Sequence, residues 1–254
     1  MVEKLELAPI LNKAYSIFVD GLYEASFYTG FNGQLRQLLE SGQDIPDSVV
    51  PFKLGESKKS TIKMTFQEYG NRYAVLAGII SVENLLLTPL IMLRVLKQAL
   101  KEGLVTVEHL NRIQIASKKN VKHKHVWDLL KNEDEQFQNS QLEPHFTSLR
   151  YARNCLAHRG GLVSDLDLNG KELFEIKWID ITLGVNGQPI NRLPFQVNQG
   201  GNLEIIQKEK TVTYKEGQKI NLSERDTHSI LWTLLQFGES VNRQTANLVQ
   251  SMLK

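Results

Sequence analysis

The stretch "LRYARNCLAHRGG", residues 149–161, brings three arginines, an asparagine, a cysteine and a histidine together in thirteen residues. Pro144, a few positions upstream, suits the first turn of a helix because its missing N–H would have no partner there in any case. Gly160–Gly161 suits a helix end, where a residue in the left-handed conformation is common. These two boundaries predict a helix of about sixteen residues.

The predicted helix has two different faces. At about 100° per residue, Leu149, Ala152 and Leu156 share one face, which we expect to be the core face. The residues spaced four apart on the opposite face are Arg150, Asn154 and His158. Arg153 lies on the border between the two faces. Because residues 144–164 contain no acid, the sequence predicts an outward face of uncompensated positive charge.

The composition is that of an ordinary globular protein. Of the 254 residues, 41% are hydrophobic and 23% are charged, which is enough for one large core or two small ones. The net charge of +2 is too small to indicate a nucleic-acid binder by itself, so any basic surface must be local. A single cysteine excludes an internal disulfide and fits a reducing compartment. With no apolar leader at the N-terminus, we expect a cytoplasmic protein.

One segment is long enough to cross a bilayer, namely "AVLAGIISVENLLLTPLIML", residues 74–93. Glu83 stands at its midpoint, and a carboxyl there costs about 2.5 kcal/mol or more in a membrane. Pro89 predicts a kink or a break in the helix. A helix buried in a globular core explains the same pattern, so we expect no membrane association.

The N-terminal part is predicted to be helical over residues 5–39, with an interruption at Gly30 and Gly33. Residues 42–70 contain prolines, glycines and a polar run, so they predict a long loop with at most a short strand at 60–66. The apolar helix then follows and ends near Gly103.

Further helices are expected downstream, and after them the spacing of apolar residues changes from the helical period to the strand period. One helix begins at Thr106, whose hydroxyl is a good cap, and further helical turns cover 125–137. Residues 172–185 alternate in strand fashion with a bulge or register change near Trp178, and "NGQPI" predicts a turn. The architecture is therefore a single helical domain built from residues 1–161 and 223–254. An antiparallel β insertion is expected at about 162–222.

The six residues "RNCLAH", 153–158, fit the R-x4-H form of the R-x4-6-H motif of the HEPN superfamily, and the following "RGG" resembles the continuation seen in bacterial members. The resemblance covers this motif and, loosely, the helical segments; the β insertion has no counterpart in the minimal domain. It implies a mainly α, HEPN-like helical bundle with an antiparallel β insertion, α+β overall. Glu83 could match the acidic residue that some members place near the motif.

The resemblance also implies a function, because many HEPN proteins are homodimeric, metal-independent ribonucleases of toxin–antitoxin, defence and RNA-processing systems. RNA cleavage by the 2′-hydroxyl requires an acid and a base, and histidine can serve as either at neutral pH. A guanidinium suits the charged transition state. We therefore expect His158 to be the acid/base, Arg153 the phosphate stabiliser and Asn154 the orienting group. Arg150 and Arg159 are expected to contact substrate, and no cofactor or metal is expected.

A second basic segment lies between residues 110 and 127, which contain no acid before Trp127. Its lysines are further candidate RNA contacts. They are Lys118, Lys119, Lys122 and Lys124. The competing interpretation is a solvated loop, because charge runs are weak indicators of nucleic-acid binding.

Several other groups are expected to be structural or unoccupied. His123 and His125 could begin a metal site, but the sequence identifies no complete ligand set. Cys155 is interpreted as a small, half-buried filler. Asp165 and Asp167 are interpreted as part of a solvated loop, since the spacing of a calcium loop is lacking.

The expected partners are RNA, a second copy of the chain, and either an antitoxin or another protein. The main alternative is a catalytically inactive HEPN-like scaffold that binds RNA or protein, because a fold does not fix a function.

Overall fold

Helices form most of the structure, and a small antiparallel sheet completes it. The computed structural model describes residues 7–40, 56–103, 106–121, 125–190 and 202–253. By its internal contacts the chain divides into two compact units. The first unit comprises Met1–Glu24, Ala77–Glu143 and Leu234–Lys254, and the second comprises Ala25–Leu76 and Pro144–Thr233. The expected single domain stays a prediction.

The helices of the first part of the chain are α1 (Leu7–Glu40), α2 (Glu56–Glu102), α3 (Val107–Val121), α4 (Val126–Glu133) and a 3-10 turn (Glu135–Asn139). The remaining elements are α5 (Glu143–His158), the short α6 (Asp165–Leu168), β1 (Phe174–Val185), β2 (Gln188–Pro189), β3 (Leu203–Tyr214) and α7 (Glu224–Met252). The described strands all lie inside the predicted insertion.

Aromatic packing organises the core of the first unit. The ring of Trp127 meets Phe137 and Phe237 edge-on, at centroid distances of 6.1 Å and 5.0 Å. Such edge-to-face pairs are favoured by the aromatic quadrupole. Phe18 packs so closely over Gly238 that a Cβ at this position would lie 2.4 Å from its ring. Glycine is therefore required at Gly238 by space rather than by backbone conformation.

The N-terminal helices are longer than the sequence predicts. Gly30 and Gly33 lie inside α1, so the expected interruption is wrong. A glycine within a helix costs only about 1 kcal/mol relative to alanine, which flanking residues can offset. Residues 56–70 belong to α2, so the predicted loop and the strand at 60–66 are also wrong there. Residues 41–55 lie outside the described residues.

Among the described helices, one is long and apolar enough to cross a membrane, over Glu68–Glu102. Half of its most apolar window is buried inside the structure, as in the core helix of a soluble protein. The helix continues through Pro89, so of the predicted kink or break the break is wrong, while the kink stays a prediction. It ends at Glu102 as expected, and Gly103 follows in the left-handed conformation with φ +71°.

The sheet of the second unit has the order β2–β1–β3, and every pairing is antiparallel. β1 and β3 pair without a break from Phe174 opposite Tyr214 to Val185 opposite Leu203, so the bulge predicted near Trp178 is wrong. Up to Trp178, β1 is buried on one face only, and immediately after it the strand is half-buried on both faces. The spacing of apolar residues therefore changes at this point, although the register of β1 with β3 does not.

The predicted turn after β1 is confirmed. Asn186 and Gly187 join β1 to β2, and both have positive φ, +50° and +78°. This is the conformation of a type I′ hairpin turn, for which Asn-Gly is the preferred sequence.

Helix hydroxyls cover the edge of β1 that faces away from β3. The backbone N–H donors and the hydroxyl acceptors are Lys177 with Ser148 (2.9 Å), Ile179 with Thr233 (2.9 Å), and Ile181 with Ser229 (3.3 Å). Ser148 belongs to α5, and the other two hydroxyls belong to α7. Because buried N–H groups are costly without a partner, these bonds tie two helices to one strand.

Replacing Ser148 with alanine tests this attachment. The variant leaves the Lys177 N–H without its acceptor, so we expect the free energy of unfolding to fall by about 1–3 kcal/mol. Urea denaturation measures the change. Ser251→Ala, which removes a hydroxyl from the last turn of α7, serves as the control. Equal stability of the two variants would show that the hydroxyl at Ser148 is dispensable.

Candidate functional site

α5 has the bounds that the sequence predicts, Glu143–His158. Its core face is confirmed, because Leu149, Ala152 and Leu156 are all buried. The helix ends as expected at two glycines with positive φ, +64° at Gly160 and +86° at Gly161. The N–H of Gly161 donates to the carbonyl of residue 155 at 3.1 Å, which closes the last turn in the Schellman manner.

The opposite face of α5 turns outward. Asn154 and His158 are exposed, while Arg150 and Arg153 are half-buried. Arg153 Nη1 donates a long hydrogen bond to Asn154 Oδ1 at 3.4 Å. The guanidinium of Arg150 lies over the ring of its neighbour Tyr151, 5.2 Å from the ring centroid. The predicted division of the helix into two faces is thus confirmed, whereas the catalytic and binding roles of these residues stay predictions.

Arg159 has a structural partner, which corrects the expectation that the positive charges near the motif are uncompensated. Arg159 Nε donates to Asp167 Oδ2 at 3.0 Å, and Nη2 makes a second bond to the other carboxylate oxygen. Such paired bonds are the strong form of an arginine–carboxylate interaction. The same carboxylate raises the pKa of Arg159. This guanidinium therefore fastens the end of α5, and its predicted substrate contact would have to compete with Asp167.

Asp167 is buried, so its assignment to a solvated loop is wrong. It lies on α6, where it also accepts hydrogen bonds from the N–H of Ser164 at 2.9 Å and from its hydroxyl at 3.1 Å. The sequence contains a sign of this arrangement, because Ser164 and Asp167 have the spacing of a capping box.

Cys155 is fully buried, so the half-buried position expected for it is wrong. Its thiol donates to the carbonyl of Leu162 at 3.3 Å. Burial, assisted by the charge of Asp167, raises the pKa of the thiol to about 11. A nucleophilic cysteine needs the thiolate form, so this thiol is unsuited to catalysis at neutral pH.

A further arginine, which the sequence interpretation missed, stands at the same end of α5. Arg72 on α2 stacks over the ring of Tyr69, with 4.5 Å between the guanidinium carbon and the ring centroid. A Cβ built at Gly160 would lie 3.4 Å from Arg72 Nη1, so the guanidinium rests against this glycine. Tyr69 and Arg72 are spaced i, i+3, a sign that becomes readable only once this segment is known to be helical.

Two of the four candidate lysines, Lys118 and Lys119, lie on α3 in the first unit. Lys118 and Lys119 are exposed in its last turn. Arg112 is paired with Glu108 at 3.2 Å. Lys122 and Lys124 lie outside the described residues. The RNA contacts predicted for these lysines stay predictions.

The candidate metal ligands that the structure describes have other contacts. His125 Nδ1 accepts from the N–H of Trp127 at 3.1 Å, which caps α4, and His125 Nε2 lies 3.2 Å from Glu83 Oε1. Glu83 thus contacts a histidine of its own unit. His123 lies outside the described residues. Within the described ranges, no group of three or more His, Cys, Asp or Glu side chains could hold a metal ion.

Comparisons with known protein families, with characterised proteins and with solved structures found no match to this chain.

The pair formed by Arg159 and Asp167 can be tested by substitution. Asp167→Asn removes the charge from a buried acceptor, so we expect the free energy of unfolding to fall by about 1.5–3 kcal/mol. Asp165→Asn, at an exposed position of the same helix, should change it by less than about 0.5 kcal/mol. If Arg159 is an anchor, Arg159→Gln combined with Asp167→Asn will cost less than the sum of the single changes. Strict additivity in urea denaturation would contradict the pairing.

The buried His145 predicts a dependence of stability on pH. Burial lowers its pKa, the charge of Lys177 acts in the same direction, and Glu209, 3.3 Å away, opposes both. In the unfolded chain this histidine titrates near 6.5, so the unfolded state binds a proton more readily than the folded state. The stabilising contribution is therefore present above about pH 6.5 and is lost as the pH falls below it.

His145→Gln removes this titration. Between about pH 7.5 and pH 5.5, we expect the wild type to lose more unfolding free energy than the variant does. His228→Gln, at an exposed histidine, is the control and should follow the wild type. A His145→Gln profile parallel to that of the wild type would contradict the assignment.

Proposed function

We propose that this chain is a HEPN-like endoribonuclease that cleaves RNA without a metal ion. The observation that supports this best is the position of Arg153, Asn154 and His158. Asn154 and His158 lie on the outward face at the end of a helix whose other face is fixed in the core, and Arg153 lies half-buried at the border between the two faces. A reactive group held in this way is accessible to a large substrate and is still oriented by packing.

The chemistry assigns one task to each residue. His158 accepts the proton of a ribose 2′-hydroxyl, whose oxygen attacks the adjacent phosphorus. The bond to the 5′-oxygen breaks, that oxygen takes up a proton from an acid, and a 2′,3′-cyclic phosphate remains. The guanidinium of Arg153 stabilises the charge that develops on the phosphate oxygens. Asn154, 3.4 Å from Arg153, orients this guanidinium.

One copy of the chain brings a single histidine to this face of α5, whereas the reaction needs both an acid and a base. A symmetric pair of chains would supply two histidines and two arginines around one phosphodiester. We therefore place the site between two copies, with RNA as substrate. Arg150 is a further substrate contact. The resemblance supports a defence or toxin–antitoxin role, with an antitoxin or another protein as the remaining partner, and the single cysteine fits the cytoplasm as its location.

Replacing His158 with alanine tests the proposal. In a buffer containing a chelator, we expect the wild type to cut RNA and to leave cyclic phosphate ends, and the variant to be slower by at least about 100-fold. His228→Ala, at an exposed position on α7, is the matched control. Circular dichroism establishes that both variants are folded.

Two further measurements distinguish a ribonuclease from a binding scaffold and a site shared by two copies from a site within one copy. If the wild type binds RNA but does not cleave it, the protein is a binding scaffold and the catalytic proposal is wrong. When wild-type and His158→Ala chains are mixed at constant total concentration, we expect activity to fall with the square of the wild-type fraction, because a mixed pair lacks one of the two histidines of the shared site. A fall in direct proportion to the wild-type fraction would place a complete site in each copy.

A further inference from the structure

Arg72 has hydrogen-bond donors available for an anion, whereas donors of Arg159 are bound by Asp167. Arg159 gives the Nε–Nη2 edge of its guanidinium to Asp167. Arg72 is half-buried, its guanidinium lies over the ring of Tyr69, and a Cβ at Gly160 would lie 3.4 Å from its Nη1. No carboxylate or carbonyl in the described part of the chain accepts a hydrogen bond from it. A guanidinium carries five N–H donors, so its hydrogen-bonding capacity remains for a ligand.

The position of Arg72 is fixed by the residues beside it. Within one turn of α2, Glu68 forms an ion pair with Lys219, and Asn71 Nδ2 donates to the carbonyl of Leu222 at 2.8 Å. The segment that contains these partners is in turn bonded to the end of α5. The bonds are the bridge between Leu162 and Lys219 and the hydrogen bond from Ile220 N–H to the carbonyl of Gly161, at 2.8 Å.

The consequence of these bonds is preorganisation. Tyr69 holds the guanidinium from one side, and the missing side chain of Gly160 gives it room on the other. Stacking on an aromatic ring leaves the N–H groups in the guanidinium plane exposed to a partner. A phosphate bound there would not have to order a flexible arginine, which lowers the cost of binding.

We propose that Arg72 is a substrate-binding residue that contacts an RNA phosphate flanking the cleaved bond. This inference rests on the proposed function, because Gly160 lies two residues after His158 and so marks the same end of the site. Arg72 takes the place that the sequence assigned to Arg159. Because the bonds that fix Arg72 join it to the end of α5 in its own chain, each copy would bring its own Arg72 beside its own α5.

Binding of a 2′-O-methyl RNA oligonucleotide, which cannot be cleaved by the 2′-hydroxyl route, tests the inference. With fluorescence anisotropy from about 50 mM to about 200 mM salt, we expect Arg72→Ala to raise Kd about tenfold. The slope of log K against log salt should become shallower by about 0.7, the value for one phosphate contact on a single strand. Arg72→Lys should keep the wild-type slope because it keeps the charge.

Arg243→Ala, which removes an exposed arginine paired with Glu239 on α7, is the matched control and should leave Kd and slope unchanged. Loss of binding by Arg72→Ala together with a lowered melting temperature, and without recovery in Arg72→Lys, would make Arg72 structural and overturn the inference.

The same measurements separate this inference from the proposed function. If the wild type cleaves RNA and Arg72→Ala behaves as Arg243→Ala does, the phosphate contact is wrong and the ribonuclease stands. If the wild type binds the oligonucleotide with a slope that depends on Arg72 but cleaves no RNA, the contact stands and the catalytic proposal is wrong. If the wild type neither binds nor cleaves RNA, both are overturned.

Discussion

The hydroxyl–amide bonds along the edge of β1 are the constraint on which the second unit depends. A strand in this position needs acceptors for its N–H groups, and serines and a threonine on α5 and α7 provide them. Because Ser148 is bonded to the strand while Leu149 and Ala152 are buried, α5 has no freedom to rotate about its axis. The outward direction of Asn154 and His158 follows from this fixed rotation, so the sheet determines which side chains the helix presents.

The distribution of charge at the end of α5 follows from the same packing. Asp167 is buried beside Arg159 and neutralises it, and Gly160 leaves space that Arg72 occupies from α2. Arg159 follows the motif directly in the sequence, whereas Arg72 lies about ninety residues before it. A guanidinium paired with a buried carboxylate contributes rigidity, whereas one stacked on a tyrosine keeps its donors for another molecule. A rigid surface that binds a charged ligand uses both the paired and the stacked kind of arginine.

Local patterns predicted local structure well. Pro144 and Gly160–Gly161 mark the ends of α5 because the conformations they favour depend on the backbone alone. The same holds for Asn186–Gly187, which form the turn between β1 and β2. These features can be predicted without knowing the rest of the fold.

The predictions that are wrong concern positions whose structure depends on residues far away in the sequence. The segment 56–70 is helical because it continues into the buried part of α2, and the pattern that predicted a bulge at Trp178 is a change of burial along β1. Asp167 and Arg72 were missed as partners of α5 because their contacts join separate elements. For the candidate site, sequence therefore identified the residues of one helix and left out the groups that other elements bring to it.

The burial of Cys155 has a consequence for how the protein can be studied and how it responds to oxidants. Sulfenic acid formation and glutathionylation require an accessible thiolate, and the only sulfhydryl of the chain is neither accessible nor ionised at neutral pH. An alkylating reagent can reach this sulfur only when the packing around Cys155 opens, so its rate of modification depends on how often the end of α5 and the segment after it open.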